Sequence, residues 1–194
     1  PNVMVVKRCT PYPVEFVVRG YLTGSLWRDV EAQKEGAYGL NLQGMKKDAP
    51  FDAPIITPTT KAERGEHDLP IKPEEILERS LLTEAQWKAA CDAALKLYAR
   101  GAQRARARGL ILVDTKCELG EDADGQLTLI DGLHTPDSSR FWLAEHYEAR
   151  FAAGEAQAML DKENLRQWLI ATHNFSGHGT PPALDADIRV RLAA

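Results

Sequence analysis

Four ionisable residues lie close enough in the chain to bind a cation or a phosphate together. Asp114, Lys116 and Glu118 alternate within the apolar run Leu110–Gly120, and side chains two positions apart project from the same face of a strand. An acidic Asp-Gly turn and a second apolar run follow, which predict a β-hairpin that returns Asp131 toward these charges. Carboxylates beside a lysine suit a hard cation and the phosphates it carries. A solvated sheet face with cross-strand ion pairs is the alternative interpretation.

A second group of polar residues follows the hairpin directly. The turn Thr135–Arg140 contains Asp137, Ser138 and Arg140 within six positions. An arginine is suited to bidentate binding of phosphate or carboxylate. The alternative is a serine-capped turn that carries a local ion pair.

An upstream segment predicts an anion site. A strand over residues 14–19 ends in Arg19, and a predicted helix over residues 26–33 follows Ser25. Ser25 is a plausible N-cap, and the free N–H groups of a helix start favour negative charge. The other interpretation is that Ser25 only caps the helix while Arg19 pairs with a carboxylate.

The region between residues 36 and 73 is rich in glycine and proline and predicts a long loop with a short strand over residues 54–57. It contains the charged segment Thr59–Asp68, in which Lys61 and Asp68 are candidate site residues. Long loops in compact domains are often functional, although an exposed polar loop is the common alternative. His67 is interpreted as a surface histidine.

The framework is predicted from apolar periodicity. Residues 3–7 and 14–19 predict two strands joined by a turn at Pro11–Pro13. Thr83 and Gln86 form a capping box at the start of a helix that Gly109 ends. That helix carries an apolar stripe at helical spacing, which predicts core packing. Its members are Trp87, Cys91, Ala94, Leu95, Tyr98 and Ala102.

The composition of the chain argues against several classes of function. The 194 residues carry a formal net charge of −4, which argues against general binding to nucleic acid or to an anionic membrane surface. The three cysteines are widely spaced, which fits reduced thiols in a cytoplasmic protein better than a disulfide framework. The apolar runs are shorter than the ~20 residues that a membrane helix needs. We therefore expect a cytoplasmic protein that binds small molecules.

Three motifs together resemble the SAICAR synthetase (phosphoribosylaminoimidazole-succinocarboxamide synthase) family: Arg19 with Thr23-Gly24-Ser25, the Asp-x-Lys-x-Glu-x-Gly strand from Asp114, and Thr135–Arg140. The resemblance extends from Asn2 essentially to the C-terminus. It implies an α+β fold, a mainly antiparallel sheet with packed helices, in a single domain. Residues 1–142 would carry the site and residues 143–194 would form C-terminal helices. Family members have a further N-terminal lobe over the ATP phosphates, so we expect a partial domain that a separate lobe or a homo-oligomer completes.

The resemblance also implies a reaction, the ATP-dependent joining of L-aspartate to carboxyaminoimidazole ribonucleotide (CAIR) to give SAICAR, ADP and phosphate. A carboxylate resists attack by an amine until it is phosphorylated, and phosphoryl transfer depends mainly on positioning and charge neutralisation. By resemblance, the substrate is bound by Arg19, Ser25, Ser138 and Arg140. The resemblance also implies that Lys61, Asp68 and Asp137 would hold the reacting partners. It implies that the nucleotide would be bound by Lys116, Glu118 and Asp131, and Mg²⁺ by Asp131, Glu118 and Asp68.

The sequence departs from the family pattern at three positions of the hairpin. Gly132 stands where family members commonly have glutamate, and Cys117 and Leu119 replace bulkier residues. Two other functions stay open. One is a phosphotransferase related to the inositol polyphosphate kinases, which share the Asp-x-Lys strand but not the other two motifs. The other is a truncated or split chain that binds nucleotide ligands without turnover.

Overall fold

The computed structural model describes residues 5–32, 38–61, 68–175 and 179–193. Its strands are β1 (Cys9–Tyr21), β2 (Pro50–Thr60), β3 (Leu110–Asp122), β4 (Leu127–Leu129) and β5 (Ser139–Leu143). Its helices are α1 (Gly24–Glu31), α2 (Pro73–Glu78), α3 (Glu84–Arg106), α4 (Ala144–Ala153), α5 (Lys162–His173) and α6 (Ala186–Ala193). Within these ranges no helix has both the length and the apolar character needed to cross a membrane. The α+β class predicted from the sequence is confirmed.

The strands form one antiparallel sheet with β3 at its centre. The order is β2-β1-β3-β4, and β5 pairs with β3 on the same side as β4. The first half of β3 pairs with β5 and its last residues pair with β4. On the other side, Arg19 of β1 lies opposite Asp114 and Glu15 lies opposite Glu118. The register therefore brings charged residues from distant parts of the chain to one face of the sheet.

An irregularity in β3 determines on which face of the sheet its charged side chains lie. The pairing of β3 with β5 shifts between Leu112 and Asp114. Leu112 packs in the main core together with Cys117, whereas Val113 joins a second cluster with Trp142. Residues two apart normally share a face, so in a regular strand Leu112 and Asp114 would point the same way. The shift lets Leu112 face the core while Asp114 and the alternate residues after it face away from it.

Helix α3 covers the core face of the sheet. The predicted capping box at Thr83 is present, with the hydroxyl accepting from the Gln86 N–H. The predicted stripe packs in the main core, where Ala94 and Tyr98 are buried. The Tyr98 hydroxyl donates to the Leu112 carbonyl at 2.7 Å and lies where a side chain on Gly20 would be.

Two predictions at the start of the chain were wrong. Residues 5–8 lie outside any strand, and positions 3 and 4 fall outside the described residues. The Pro11–Pro13 segment is not a turn but part of β1, where a register shift between Pro11 and Glu15 accommodates residues that lack a backbone donor. A bulge has the same sequence signature as a turn here.

Two other predictions were confirmed in part. The hairpin of β3 and β4 is present, and its turn is closed by the Asp122 carboxylate, which accepts from the N–H groups of Asp124 and Gln126. Its return strand is only three residues long. The helix after Arg19 begins at Gly24, so Thr23 is the N-cap and Ser25 lies inside the first turn. The prediction of Ser25 as the N-cap was therefore wrong, and its hydroxyl instead accepts a hydrogen bond from Arg19.

Candidate functional site

The charged face of the sheet forms a cleft of about 300 Å³, here called the central cleft. Strands β1, β3 and β5 form its floor, and the first turns of α1 and α5 contribute to its wall. Six basic and five acidic side chains line it. They are Arg19, Arg28, Lys116, Arg140, Lys162 and Arg166, with Asp68, Asp114, Asp137, Asp161 and Glu163.

Two arginines share one carboxylate at the floor of the central cleft. Arg140 Nη1 donates to Asp114 Oδ2 at 2.5 Å, and Arg19 Nη1 donates to the same oxygen at 3.4 Å. Asp114 and Arg19 are both only 4% exposed. Arg19 Nη2 also donates to Ser25 Oγ at 3.0 Å. The sequence-predicted group of Arg19, Ser25 and Arg140 is thus brought together, with one carboxylate between two guanidinium groups.

The start of α1 holds Arg140 close to backbone. Gly24 has φ +63°, and a Cβ atom there would lie 2.7 Å from the Arg140 guanidinium carbon. Only glycine combines that left-handed conformation with so close an approach. The first N–H groups of a helix have no partner within the helix. The arginine fork and the helix start therefore face the same part of the cleft.

The turn before β5 adds polar groups to the cleft, and these groups already have partners within the protein. Ser138 Oγ accepts from the Thr135 N–H at 3.1 Å, and Thr135 Oγ1 accepts from the Ser138 N–H at 3.0 Å. Asp137 is exposed and pairs with Lys162 at 2.8 Å. That hydrogen bond and charge lower the pKa of Asp137. The turn is the serine-capped type considered from the sequence, and it also lines the cleft.

Lys116 is anchored by a carboxylate that sequence reasoning missed. Its Nζ donates to Glu15 Oε1 at 2.6 Å, and Glu118 Oε1 lies at 3.6 Å. Glu15 is buried and also accepts from Thr59 Oγ1 at 3.0 Å. Burial alone would lower the pKa of Lys116, but the hydrogen bond and charge of Glu15 together with nearby carboxylates raise it. Lys116 is therefore a cation at neutral pH.

A second cleft of about 630 Å³, here called the edge cleft, opens beside the hairpin. Lys61, Glu118 and Asp131 line it, together with apolar side chains that include Leu129 and Ile130. The Lys61 ammonium donates to Glu118 Oε2. Because Glu118 also neighbours Lys116, a line of charges joins the edge cleft to the central cleft.

The three carboxylates predicted to bind metal are divided between the clefts. Glu118 and Asp131 line the edge cleft, whereas Asp68 lines the central cleft. Across the described ranges, no three or more histidine, cysteine, aspartate or glutamate side chains are grouped as a metal site. His67, interpreted above as a surface residue, lies outside the described residues.

Residues from α5 are further site members that the sequence did not suggest. Asp161 caps α5 and accepts from the Phe141 N–H at 2.8 Å, which fixes α5 to β5. Glu163 pairs with Arg166 at 2.6 Å and lies 3.8 Å from Arg140. In the sequence these residues appear only as a charged first helical turn. Such turns are common on solvent-facing helices, so the pattern did not indicate a site. Glu15 had a clearer signal, since it alternates with Arg19 along an otherwise apolar strand.

Comparison with known proteins assigns the chain to a family. A family model described as SAICAR synthetase matches residues 1–180. The chain belongs to the SAICAR synthetase family. Among curated relatives, the phosphoribosylaminoimidazole-succinocarboxamide synthase of Legionella pneumophila (strain Paris) is 44% identical over 175 residues, which cover 88% of this chain and 55% of the relative. The chloroplastic enzyme of Arabidopsis thaliana is 44% identical over 197 positions, which cover 99% of this chain and 47% of the relative.

Solved structures of SAICAR synthetase family members show the same fold. The SAICAR-synthase of Saccharomyces cerevisiae, solved in complex with SAICAR, aligns with a TM-score of 0.76 and 35% identity over 95% of this chain and 57% of that one. The SAICAR synthetase of Pyrococcus horikoshii OT3 aligns with a TM-score of 0.64 and 26% identity over 83% of this chain and 59% of that one. The chain thus spans about half the length of the curated relatives it matches. Family membership favours the SAICAR synthetase interpretation over the kinase-like one.

Proposed function

We propose that this chain provides the substrate cleft of an ATP-dependent ligase that joins L-aspartate to CAIR, giving SAICAR, ADP and phosphate. Membership of the SAICAR synthetase family supports this function. The observation that carries it is the pair of arginines, Arg19 and Arg140, around Asp114 beside the start of α1. The reaction needs a site for a phosphorylated ribonucleotide next to a site for ATP, and the two connected clefts supply candidates for both.

The 5′-phosphate of CAIR would bind at the arginine pair. Each guanidinium has more N–H groups than Asp114 can accept, so a phosphate oxygen can be added without breaking the existing ion pairs. Ser25 Oγ and the N–H groups at the start of α1 would complete the phosphate shell. Ser138 would contribute its hydroxyl from the opposite turn. This part of the site binds and orients substrate and takes no part in bond making.

ATP would bind in the edge cleft, whose apolar wall suits a base, with Lys116 of the central cleft near its phosphates. Glu118 and Asp131 fit Mg²⁺, because this ion is usually held by one or two carboxylates with water and substrate phosphates supplying the rest. When bound, Mg²⁺ would neutralise charge on the phosphoryl group that is transferred. Asp68 would approach from the central cleft.

The line of charges between the clefts would position the reacting groups. Lys116 stands between Glu15 and Glu118, where its ammonium would neutralise charge as the CAIR carboxylate accepts a phosphoryl group. Phosphate is then a good leaving group when the aspartate amine attacks the acyl carbon. Lys61 would pair with a carboxylate of L-aspartate, while Asp68 and Asp137 would orient its amine. A proton lost from that amine can pass to solvent through the exposed side of Asp137.

Calorimetric titration of this chain with CAIR tests the phosphate site. Arg140→Ala should weaken CAIR binding by about 10- to 100-fold, because hydrogen bonds to charged groups contribute about 1.5–3 kcal/mol each. Arg140→Lys should recover only part of this affinity, since lysine lacks the planar fork. Arg150→Ala is the matched control, because Arg150 pairs with Glu155 and donates to the Ala156 carbonyl just after α4, and it does not line the central cleft. Equal affinities for the Arg140 and Arg150 variants, with both folded, would contradict the proposal.

Turnover is tested separately, by following ADP and SAICAR with CAIR, ATP, L-aspartate and Mg²⁺ present. Lys116→Met should abolish product formation while leaving CAIR affinity within a few-fold. Binding of CAIR without product formation by the unmutated chain would favour the narrower function of a truncated or split chain that binds ligands without turnover. In that case the same assay is repeated with an added N-terminal lobe from a relative.

A further inference from the structure

A series of hydrogen bonds, here called the His134 network, runs from helix α3 to the central cleft. The His134 Nε2 atom lies 3.1 Å from the Leu97 carbonyl oxygen, and Nδ1 lies 3.2 Å from Thr115 Oγ1. Thr115 Oγ1 is 2.7 Å from Ser139 Oγ, which is 3.3 Å from Ser138 Oγ. Both serines line the central cleft, whereas His134 and Thr115 are not among its lining residues. The network therefore connects an imidazole packed against α3 to the candidate site.

Two local features of the fold hold His134 in this position. Its backbone has φ +58°, a left-handed conformation that is uncommon for residues with a side chain. Such conformations persist where the surroundings hold them, and they cluster at active sites and ligand-binding segments. Gly101 is buried inside α3, and a Cβ atom there would collide with the His134 ring. Glycine is among the least favourable residues inside a helix, and here it provides the space for the imidazole.

The α3 end of the network fixes the direction of its hydrogens. A carbonyl oxygen only accepts, so His134 Nε2 carries the hydrogen that meets Leu97. Burial lowers the pKa of His134, against the opposing effect of that hydrogen bond, so the ring is neutral at pH 7 and Nδ1 is an acceptor. Thr115 then donates to Nδ1 and accepts from Ser139. The Ser139 hydrogen is thereby committed away from the cleft.

Ser138 is the hydroxyl of the network whose hydrogen can turn to a ligand. Because Ser139 already donates to Thr115, the contact between the two serines requires Ser138 as the donor. This contact is the longest in the network. Ser138 is half-buried at the cleft, whereas Ser139 is buried. The Ser138 oxygen also accepts from the Thr135 N–H, so its hydrogen can turn to a phosphate while the turn stays in place.

We propose that His134, in its neutral Nε2–H form, is a positioning residue of the substrate site. Through Thr115 and Ser139 it directs the hydrogens of the network so that Ser138 is the serine that donates to the substrate phosphate. This inference rests on the proposed function, because it assigns a donor at the phosphate site. Hydrogen bonds in series polarise one another. When Ser138 donates to a phosphate instead, Ser139 becomes a weaker donor to Thr115, and Thr115 a weaker donor to His134 Nδ1.

Nuclear magnetic resonance of the ¹⁵N-labelled protein tests the proposal, since long-range ¹H–¹⁵N spectra show which imidazole nitrogen carries hydrogen. The His134 signals are identified among the five histidines by their loss in His134→Gln. At neutral pH they should show hydrogen on Nε2 and none on Nδ1. Titration with inorganic phosphate, and separately with CAIR, should shift the Nδ1 signal saturably with the Kd that calorimetry gives. Thr115→Val should abolish this shift and Thr115→Ser should retain it, because only serine keeps the hydroxyl.

Substitution of the two serines separates their roles. Ser138→Ala should weaken binding of either ligand by about 10-fold, near the lower end expected for one hydrogen bond to a charged group. Ser139→Ala should weaken binding less, because its hydrogen is committed to Thr115. It should nevertheless abolish the Nδ1 shift, since it interrupts the network. Ser139→Ala also serves as the second interrupted variant should Thr115→Val fail to fold.

Several results would overturn the proposal. A His134 ring with hydrogen on Nδ1, or on both nitrogens, at neutral pH would reverse the network. An Nδ1 shift that persists in Thr115→Val or Ser139→Ala would show that the effect reaches His134 through the backbone. Binding of phosphate without an Nδ1 shift in the unmutated protein would show that His134 and the cleft are not coupled.

The two ligands distinguish a failure of this proposal from a failure of the proposed function. Binding of phosphate but not of CAIR would contradict the ligase function, and the phosphate titration would still decide the role of His134. Binding of CAIR with equal affinity in the unmutated protein and in Ser138→Ala would overturn the role of the network and leave the ligase function standing. Binding of neither ligand would overturn both.

Discussion

Asp114→Asn should destabilise the protein strongly, because Asp114 is the shared counter-charge of two guanidinium groups in the central cleft. The carboxylate is 4% exposed, with Arg140 Nη1 at 2.5 Å and Arg19 Nη1 at 3.4 Å. Asparagine keeps the shape but leaves the two arginines facing each other without their shared counter-charge, with Glu163 3.8 Å from Arg140. Removing one partner of a buried ion pair typically costs about 3–5 kcal/mol. For a domain of this size, about 2–4 °C per kcal/mol gives a fall in Tm of roughly 6–20 °C.

Urea and thermal unfolding measure this cost, with Asp137→Asn as the matched control. Asp137 also pairs with a basic side chain, Lys162 at 2.8 Å, but the two are 87% and 50% exposed. An exposed pair contributes about 0–1 kcal/mol, so the control should hardly change stability. A loss for Asp114→Asn as small as that of the control would refute the assignment of Asp114 as the buried counter-charge.

Inorganic phosphate provides a second readout on the same variant. If Arg19 and Arg140 form an anion site, phosphate should bind the Asp114→Asn variant more tightly than the unmutated chain and restore part of its stability. A ligand at 100 times its Kd adds about 2.7 kcal/mol, which is measurable against the expected loss. Equal stabilisation of both proteins by phosphate would show that the two guanidinium groups do not act together on an anion.

Three further perturbations have defined outcomes. Gly24→Ala should strain the φ +63° backbone by about 1–3 kcal/mol and displace the Arg140 guanidinium, so CAIR affinity measured by calorimetry should fall; Gly154→Ala, at φ +69° in open space, should cost stability without changing affinity. Burial lowers the pKa of His134 below its ordinary value of 6.5, so the unfolded chain binds this proton more readily. The free energy of unfolding from urea titrations should therefore be retained above about pH 6.5 and fall below it, and His134→Gln should reduce that dependence; an unchanged pH profile would contradict the assignment. Thr83→Ala should lower the free energy of unfolding by about 0.5–2 kcal/mol through loss of the α3 cap, and a change in Tm below experimental error would show that the cap is dispensable.

The parts of the fold that were predicted correctly are those with strong local signals. The capping box at Thr83 and the apolar stripe after it predicted α3, and the Asp-Gly turn predicted the β3–β4 hairpin. The failure at Pro11–Pro13 has a physical reason, since a bulge within one strand and a turn between two strands both favour residues that lack a backbone donor. Pairing across the sheet, including the register shift in β1, depends on contacts with distant residues that no local pattern encodes.

In the candidate site, too, the residues within one local pattern were predicted, whereas their partners from distant parts of the chain were not. The alternation of Asp114, Lys116 and Glu118 predicted a charged face, and the structure places these side chains on it. Their partners were not predictable in the same way. Glu15 reaches Lys116 because β1 pairs with β3 in one particular register, and Asp161 joins the site because α5 folds back onto β5. The roles assigned to these residues in catalysis and in metal binding stay predictions.

The extra residue at Val113 has a consequence for how the gene can vary. In a strand the side-chain period is two, so a one-residue insertion or deletion exchanges the two faces of everything beyond it. Deleting Val113 would remove only the irregularity, because Asp114 would then follow Leu112 directly and the two would still point to opposite faces. Deleting Thr115 instead would turn Lys116 and Glu118 toward the core under α3 and bring Cys117 to the charged face. One-residue length variation among functional relatives should therefore be confined to position 113 and to the loops on either side of this strand.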